Sequence, residues 1–323
     1  MRAAVAVSQN FDDPLSGLAL MQMPEPEPTE GWIKVKVRAT SINMHDLWTL
    51  RGVGHDPKNI PIILGCDVAG VTDDGREVIV YPVIADAEAG GGDETLDPRR
   101  ALLSEEHHGG FAEYLLVPER CVLDKPGSLS FEEAACLPVA WSTAYRMLFT
   151  QGALKPGDRV LVQGAGGGVA SAAISLAAAA GATVYATSRS QTNRDLALEL
   201  GAAEVFESGE RLPERVDLVI ETVGEATWAH SLRCLKPGGA IVIAGATSGT
   251  SPEADLGRIF YQQLRVIGST GSTRQETQDM LRFVESKGLR PKIDRVLALE
   301  EIHAGMQAML DGNISGKIVI TVA

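Results

Sequence analysis

The sequence predicts an α/β protein: a doubly wound parallel sheet of Rossmann type joined to a β-rich domain. Three observations predict it. Apolar runs at 159–163, 183–187, 203–206, 216–221, 240–245 and 264–268 alternate with helical stretches, notably 167–180, 192–200 and 225–235. Strands buried on both faces of a parallel sheet read as such runs. The first run ends in Gly164-Ala165-Gly166-Gly167-Gly168 and is followed by an Ala-rich helix. Residues 31–40 instead alternate apolar and polar with period two, marking a strand with one wet face.

The 323 residues suggest about two domains. A net charge of −13 disfavours nucleic acid and anionic membrane surfaces, which call for basic patches. Cys66, Cys121, Cys136 and Cys234 form no C-x-x-C pair, so no tetrathiolate zinc site is predicted, and buried free thiols suit a reducing compartment. Met1–Val7 lacks the apolar core of a signal peptide, and 171–180 is too short to span a bilayer. The expected location is the cytoplasm.

In chain order, residues 1–30 open with an alternating run and reach Pro24-Glu25-Pro26-Glu27-Pro28, which continues neither helix nor ladder. Ser41–Trp48 then breaks the alternation and gathers polar groups. Residues 60–72 and 76–84 read as strands about the hairpin signal Asp73-Asp74-Gly75. Residues 85–110 are acidic and glycine-rich; a loop of that length is functional or poorly ordered. Phe111–Val117 resumes a strand, and Asp124-Lys125-Pro126-Gly127 marks a boundary. Helices are expected at 131–137, 142–149, 273–287 and 299–311, with a last strand from Lys317 to Val322.

The glycine burst offers a tight turn, close backbone approach and an open helix N-terminus, a setting suited to a pyrophosphate. Gly166, Gly167, Gly168 and Val169 are the expected contacts. About 20 residues on, where an NAD site would place an acid, the chain reads Thr187-Ser188-Arg189-Ser190-Gln191-Thr192-Asn193-Arg194, with no acid between Gly181 and Asp195. A hydroxyl and guanidinium groups suit a 2′-phosphate. NADPH is therefore the expected cofactor, with Ser188, Arg189 and Arg194 on the phosphate. In doubly wound sheets ligands gather at strand C-termini. Thr222 and Val223, Ala244 and Gly245, and Gly268, Ser269 and Thr270 should therefore line the cofactor too.

Taken together, several segments resemble the medium-chain dehydrogenase/reductase superfamily, in its zinc-free, quinone oxidoreductase-like branch. They are Arg38-Ala39-Thr40-Ser41-Ile42-Asn43 with Asp46, Pro61–Gly70, Gly109–Tyr114, Leu137-Pro138, Ser142-Thr143-Ala144-Tyr145, Leu154–Val162 and Gly316-Lys317-Ile318-Val319. The resemblance covers nearly the whole chain. It implies a GroES-like catalytic domain (1–123), a Rossmann domain (124–268) and a C-terminal segment (269–323) returning to the first domain, with the active site in the cleft. It also implies a homodimer formed through Rossmann sheet edges. On the family register, Ala165, Gly167 and Ala170 take the three fingerprint places, and Thr143 lies at the nicotinamide-contacting helix start. Asn193 departs from a frequent Lys.

The same register puts Asn43, Cys66 and Val139 where zinc members carry their Cys, His and Cys ligands. One thiol cannot hold a catalytic zinc, so no metal is expected, and His107-His108 reads as part of a solvated acidic loop. Lacking a Lewis acid, alkoxide stabilisation is hard. Reduction of a quinone or an activated C=C bond needs only hydrogen-bond donors at a carbonyl oxygen. The expected function is hydride transfer from NADPH to a quinone, enone or enoyl thioester. Asn43 is the first candidate donor and a nicotinamide-side contact. His45 is a candidate general acid or a structural histidine, Asp46 an orienting carboxylate, and Trp48 a third loop candidate. Tyr81 reads as a half-buried core residue. Trp48, Phe260 and Tyr261 hint at an apolar substrate. The rival readings are an NADPH-binding sensory or structural protein and an alcohol dehydrogenase.

Overall fold

A computed structural model describes residues 1–322. They divide into two compact units: 1–139 with 273–285 and 290–322, and 140–272 with 286–289.

The first unit is mostly β. Its strands are β1 (Arg2–Ala6), β2 (Leu18–Gln22), β3 (Trp32–Ser41), β4 (Ile62–Ile63), β5 (Asp67–Thr72), β6 (Glu77–Val80), β7 (Val83–Ile84), β8 (Ala101–Leu102), β9 (Tyr114–Pro118) and β10 (Val122–Asp124). Helix α1 (Met44–Arg51) follows β3, and α2 (Phe131–Ala134) follows β10. The second unit begins with α3 (Ser142–Tyr145), inside a helical stretch that also contains π-type turns at Leu137–Trp141 and Arg146–Gln151. It continues β11 (Arg159–Gln163), α4 (Gly168–Ala179), β12 (Thr183–Thr187), α5 (Gln191–Glu199), β13 (Glu204–Phe206), β14 (Val216–Glu221), α6 (Glu225–Cys234), β15 (Leu235–Ile243), α7 (Leu256–Tyr261) and β16 (Arg265–Gly268). The chain ends with α8 (Arg274–Lys287), β17 (Ile293–Ala298), α9 (Ile302–Leu310) and β18 (Lys317–Thr321).

In the second unit the strand order is β13-β12-β11-β14-β15-β16, and all pairs are parallel. That is the doubly wound sheet expected from the alternating runs. Val160, Leu161 and Val162 of β11 are fully buried, as a central strand covered on both faces requires.

In the first unit the main sheet runs β10-β6-β5-β3-β18-β17, with β9 also on β3. The last strand closes this sheet: Val319 pairs with Ser41 and Thr321 with Ala39, antiparallel. Strand β3 is the axis, and its residues 37–41 are nearly all inward. The boundary falls after Val139 rather than at the turn near Asp124, because α2 packs on β3 and β5. Segment 85–110 carries its own structure. Strands β7 and β8 pair across it, and a short 3-10 helix at Glu94–Leu96 buries Glu94, whose Oε1 accepts the Arg274 amide at 2.8 Å. All four cysteines are free and buried. No helix among the described residues is long and apolar enough to cross a membrane.

Candidate functional site

The first cluster lies where β3 runs into α1. Asn43 is extended (φ −125°) and precedes the helix; Asp46, in its first turn, accepts the Asn43 N–H at 2.8 Å. This is half of a capping box. The other Asp46 oxygen accepts the Gly65 N–H at 2.9 Å, tying α1 to the segment before Cys66. Both oxygens serve the backbone, which makes Asp46 an orienting group. Burial pushes its carboxyl up to about 6, against the opposing influence of His45, the two amides and Lys317.

A prediction follows from that shift. Between the unperturbed value of 3.8 and about 6, the folded state holds a proton that the unfolded state has released. Stability therefore falls as pH rises through that window and is level above it. Wild type should lose about 2 kcal/mol relative to Asp46→Asn between pH 4 and pH 7. Urea unfolding of both proteins across that range checks it, and parallel curves would refute it.

Asn43 is 8% exposed, and its amide is fully engaged. Nδ2 donates to Asp67 Oδ2 at 2.8 Å and to the Ser41 carbonyl at 3.3 Å, and lies 3.6 Å from Cys66 Sγ. Its Oδ1 accepts from Lys317 Nζ at 2.7 Å. The expectation that Asn43 offers a free donor is therefore corrected: both amide hydrogens are directed inward. Asp67 is the hub. Its Oδ2 also accepts from Ser41 Oγ at 2.6 Å and Lys317 Nζ at 3.1 Å, while Oδ1 accepts the Val139 N–H at 2.8 Å. Lys317 and Asp67 escaped the sequence reading as site residues. The one available signal was a single charge at the head of an otherwise apolar strand.

His45 Nε2 lies 3.0 Å from Glu105 Oε1, and its Nδ1 is buried with no partner among the described residues. Glu105 comes from the acidic segment, where no spacing could have singled it out. Trp48 is half-buried on α1. Tyr81 is 1% exposed, and burial beside Glu94 pushes its phenol far up, so it is a core residue. His107 stacks at a tilt on Trp32, and His108 Nδ1 accepts the Ile63 N–H at 3.2 Å.

Asn43, Cys66 and Val139, the residues that the resemblance is expected to place at the zinc-ligand positions, do not suit the metal. Val139 has no side-chain ligand atom, an ammonium sits on the Asn43 oxygen, and burial drives the Cys66 thiol upward. His45, Asp46 and Cys66 do bring ligand-type atoms within 4.8 Å of one another. In that set both Asp46 oxygens and His45 Nε2 are already engaged, while His45 Nδ1 has no partner among the described residues.

The second cluster lies at the C-terminal ends of the parallel strands in the other unit. Gly164 has φ +73°, and both its N–H and that of Ala165 reach the Thr187 carbonyl, at 3.1 and 3.0 Å. Gly167 precedes α4, and no side chain caps that helix. Its first-turn amides, from Gly168 and Val169 onward, have no intrahelical acceptor. The geometry fits an anion such as a pyrophosphate. A Cβ on Gly166 would lie 2.1 Å from Asn193 Nδ2, so Asn193 lies across the loop and Gly166 is backbone packing rather than open surface. Thr143 is buried in α3. Thr222 and Val223 follow β14, Ala244 and Gly245 follow β15, and Gly268, Ser269 and Thr270 close β16.

Ser188 Oγ accepts the Ser190 N–H at 3.2 Å, next to Arg189, which is exposed and has no bonded partner among the described residues. Arg194 differs from expectation. Nη1 donates to the Ser188 carbonyl at 2.7 Å, and Nη2 to Gln191 at 2.7 Å and Glu207 at 3.5 Å. It braces the loop from beneath because it sits one helical turn into α5, facing back toward β12.

Family models match in both units: an alcohol dehydrogenase GroES-like domain over residues 29–127 and a zinc-binding dehydrogenase model over 168–286. A crystal structure described as an NAD-dependent alcohol dehydrogenase is 33% identical, with a TM-score of 0.93 over 100% of each chain. The chain belongs to the medium-chain dehydrogenase/reductase superfamily. Within that superfamily it is similar to the acryloyl-coenzyme A reductase of Sulfurisphaera tokodaii, 28% identical over 95% of this chain and 97% of the relative. It also resembles a crotonyl-CoA carboxylase/reductase solved in complex with NADP, 25% identical with a TM-score of 0.91, covering 100% of this chain and 94% of that one. Two arrangements seen here thus belong to a medium-chain dehydrogenase/reductase: the β-rich unit closed by the C-terminal strand, and the glycine loop on a parallel sheet.

Proposed function

We propose that this protein is an NADPH-dependent, zinc-independent reductase of activated C=C bonds, with α,β-unsaturated thioesters as the first substrate class and enones and quinones beside them. The observation that carries this reading is the Lys317–Asn43–Asp67 cluster, where an ammonium and an engaged amide stand at the family's metal position. The likeness to acryloyl- and crotonyl-CoA reductases supports the thioester class. The exposed Arg189 and the absence of an acid at the end of β12 support NADPH. When bound, the nicotinamide supplies a hydride. The chain binds the pyrophosphate at Gly167–Val169, directs Arg189 to the 2′-phosphate, and carries His45, held by Glu105, as the candidate proton source.

The test is oxidation of NADPH by purified protein, followed optically, with crotonyl-CoA, acryloyl-CoA, 2-alkenals and quinones. Turnover with the thioesters is expected, and no turnover with any acceptor rejects the reading. Tight NADPH binding without turnover would favour a sensory or structural protein. One zinc per chain, with alcohol oxidation, would favour the dehydrogenase reading that the NAD-dependent relative suggests.

A homodimer through the β16 edge is part of the proposal. That strand ends the sheet, Val266 is 44% exposed, and Phe260 and Tyr261 on α7 are 72% and 78% exposed. Open edges with apolar neighbours are pairing surfaces. Sedimentation at twice the chain mass is the expected result.

A further inference from the structure

Beneath the nucleotide loops, four buried side chains from neighbouring elements form one hydrogen-bond chain. Thr187 Oγ1, at the end of β12, donates to Gln163 Oε1, at the end of β11. Gln163 Nε2 donates to Ser231 Oγ on α6 at 2.9 Å and to His230 Nδ1 at 3.0 Å. Ser231 Oγ donates to Glu221 Oε2, at the end of β14, at 2.6 Å. Glu221 Oε1 then accepts the Val223 and Gly224 amides at 2.8 and 3.1 Å, and Thr227 Oγ1 at 2.9 Å. Thr187, Gln163, Ser231 and Glu221 are all fully buried. Every link donates toward Glu221, which receives only donors and has no bonded cation among the described residues.

Each strand-end member directly precedes a loop expected to touch the cofactor. Thr187 precedes Ser188-Arg189, Gln163 precedes the glycine loop, and Glu221 precedes Thr222-Val223. The loops also meet each other. A Cβ on Gly164 would lie 2.7 Å from Val223 Cγ2, and the Val223 carbonyl accepts from the Ser248 amide at 2.7 Å. Moving Val223 therefore moves the floor of the glycine turn.

We propose that Glu221 is a positioning residue for the dinucleotide: through Ser231 and Gln163 it fixes the relative placement of the three loops that hold the cofactor. This rests on the cofactor reading above. The carboxylate matters chemically. An amide at 221 would turn a donor toward either the Ser231 hydroxyl or the two backbone amides, and one of them would lose its acceptor inside the protein.

The test is fluorescence titration of the full-length protein with NADPH and NADH, alongside steady-state kinetics and thermal melts. Glu221→Gln should weaken NADPH binding about ten-fold or more. Its KM for NADPH should rise by the same factor while kcat at saturation holds. Ser231→Ala keeps the other donors on Glu221 and should weaken binding about three-fold, so it serves where Glu221→Gln does not fold. Leu232→Ala, in the apolar core on the same helix, should lower the melting temperature with unchanged affinity. Unchanged affinity in both chain variants, or losses that track melting temperature in all three, would overturn the proposal. Wild type that binds neither nucleotide would overturn the cofactor reading as well.

Discussion

Lys317→Met is expected to destabilise the protein by about 3–5 kcal/mol, the usual consequence of removing one partner from a buried ion pair. The Lys317 side chain is 4% exposed and Asp67 is 0% exposed. Its ammonium bonds Asp67, the Asn43 side chain and the Ile42 carbonyl, the last at 2.9 Å. Those three partners come from β5, the start of α1 and the end of β3, so a single group on the last strand holds the centre of the β-rich unit. Without it Asp67 keeps the Ser41 hydroxyl, the Asn43 amide and the Val139 N–H, but no compensating charge. Adding Asp67→Asn removes that uncompensated charge and should restore much of the loss. Chemical denaturation of the wild type, both single variants and the double variant measures the coupling. A Lys317→Met protein within about 1 kcal/mol of wild type, a typical single-contact loss, would show that the cluster is not a structural keystone.

Arg189→Ala should lower kcat/KM with NADPH about 10- to 100-fold, the range for a charge-assisted bond to phosphate, and leave the value with NADH nearly unchanged. The expectation comes from contrast within one loop. Arg194 is engaged with Ser188, Gln191 and Glu207, whereas Arg189 is exposed and has no bonded partner among the described residues. Loss with both nucleotides equally would assign Arg189 a role other than reading the 2′-phosphate. A companion Arg194→Ala variant should weaken both nucleotides together, because it withdraws support from the loop backbone.

Much of the architecture was legible from residue order. A parallel strand buried on both faces must be apolar throughout, so β11, β12 and β14 declare themselves as runs, and a turn at the mouth of such a strand needs glycine where φ is positive, as at Gly164 (φ +73°). Residues 85–110 were less legible. They have little apolar periodicity, and what structures them is pairing between β7 and β8 and the burial of Glu94, contacts that join distant positions.

By itself, the sequence determined the doubly wound sheet and the glycine loop. These depend on local pattern and residue identity. Only the tertiary structure decided which polar groups are free and which are engaged. Asn43 and Arg194 looked like ligands by type, yet their hydrogen-bonding capacity is met by Asp67, Lys317, Ser188 and Glu207. Lys317, Glu105 and Glu221 looked like ordinary charges, yet they are anchors. The physical reason is the same in each case. A buried polar group must find a partner, and that partner is chosen by the fold from residues far away in the chain: Lys317 is 274 positions from Asn43, and Glu105 is 60 from His45. No local pattern carries that pairing.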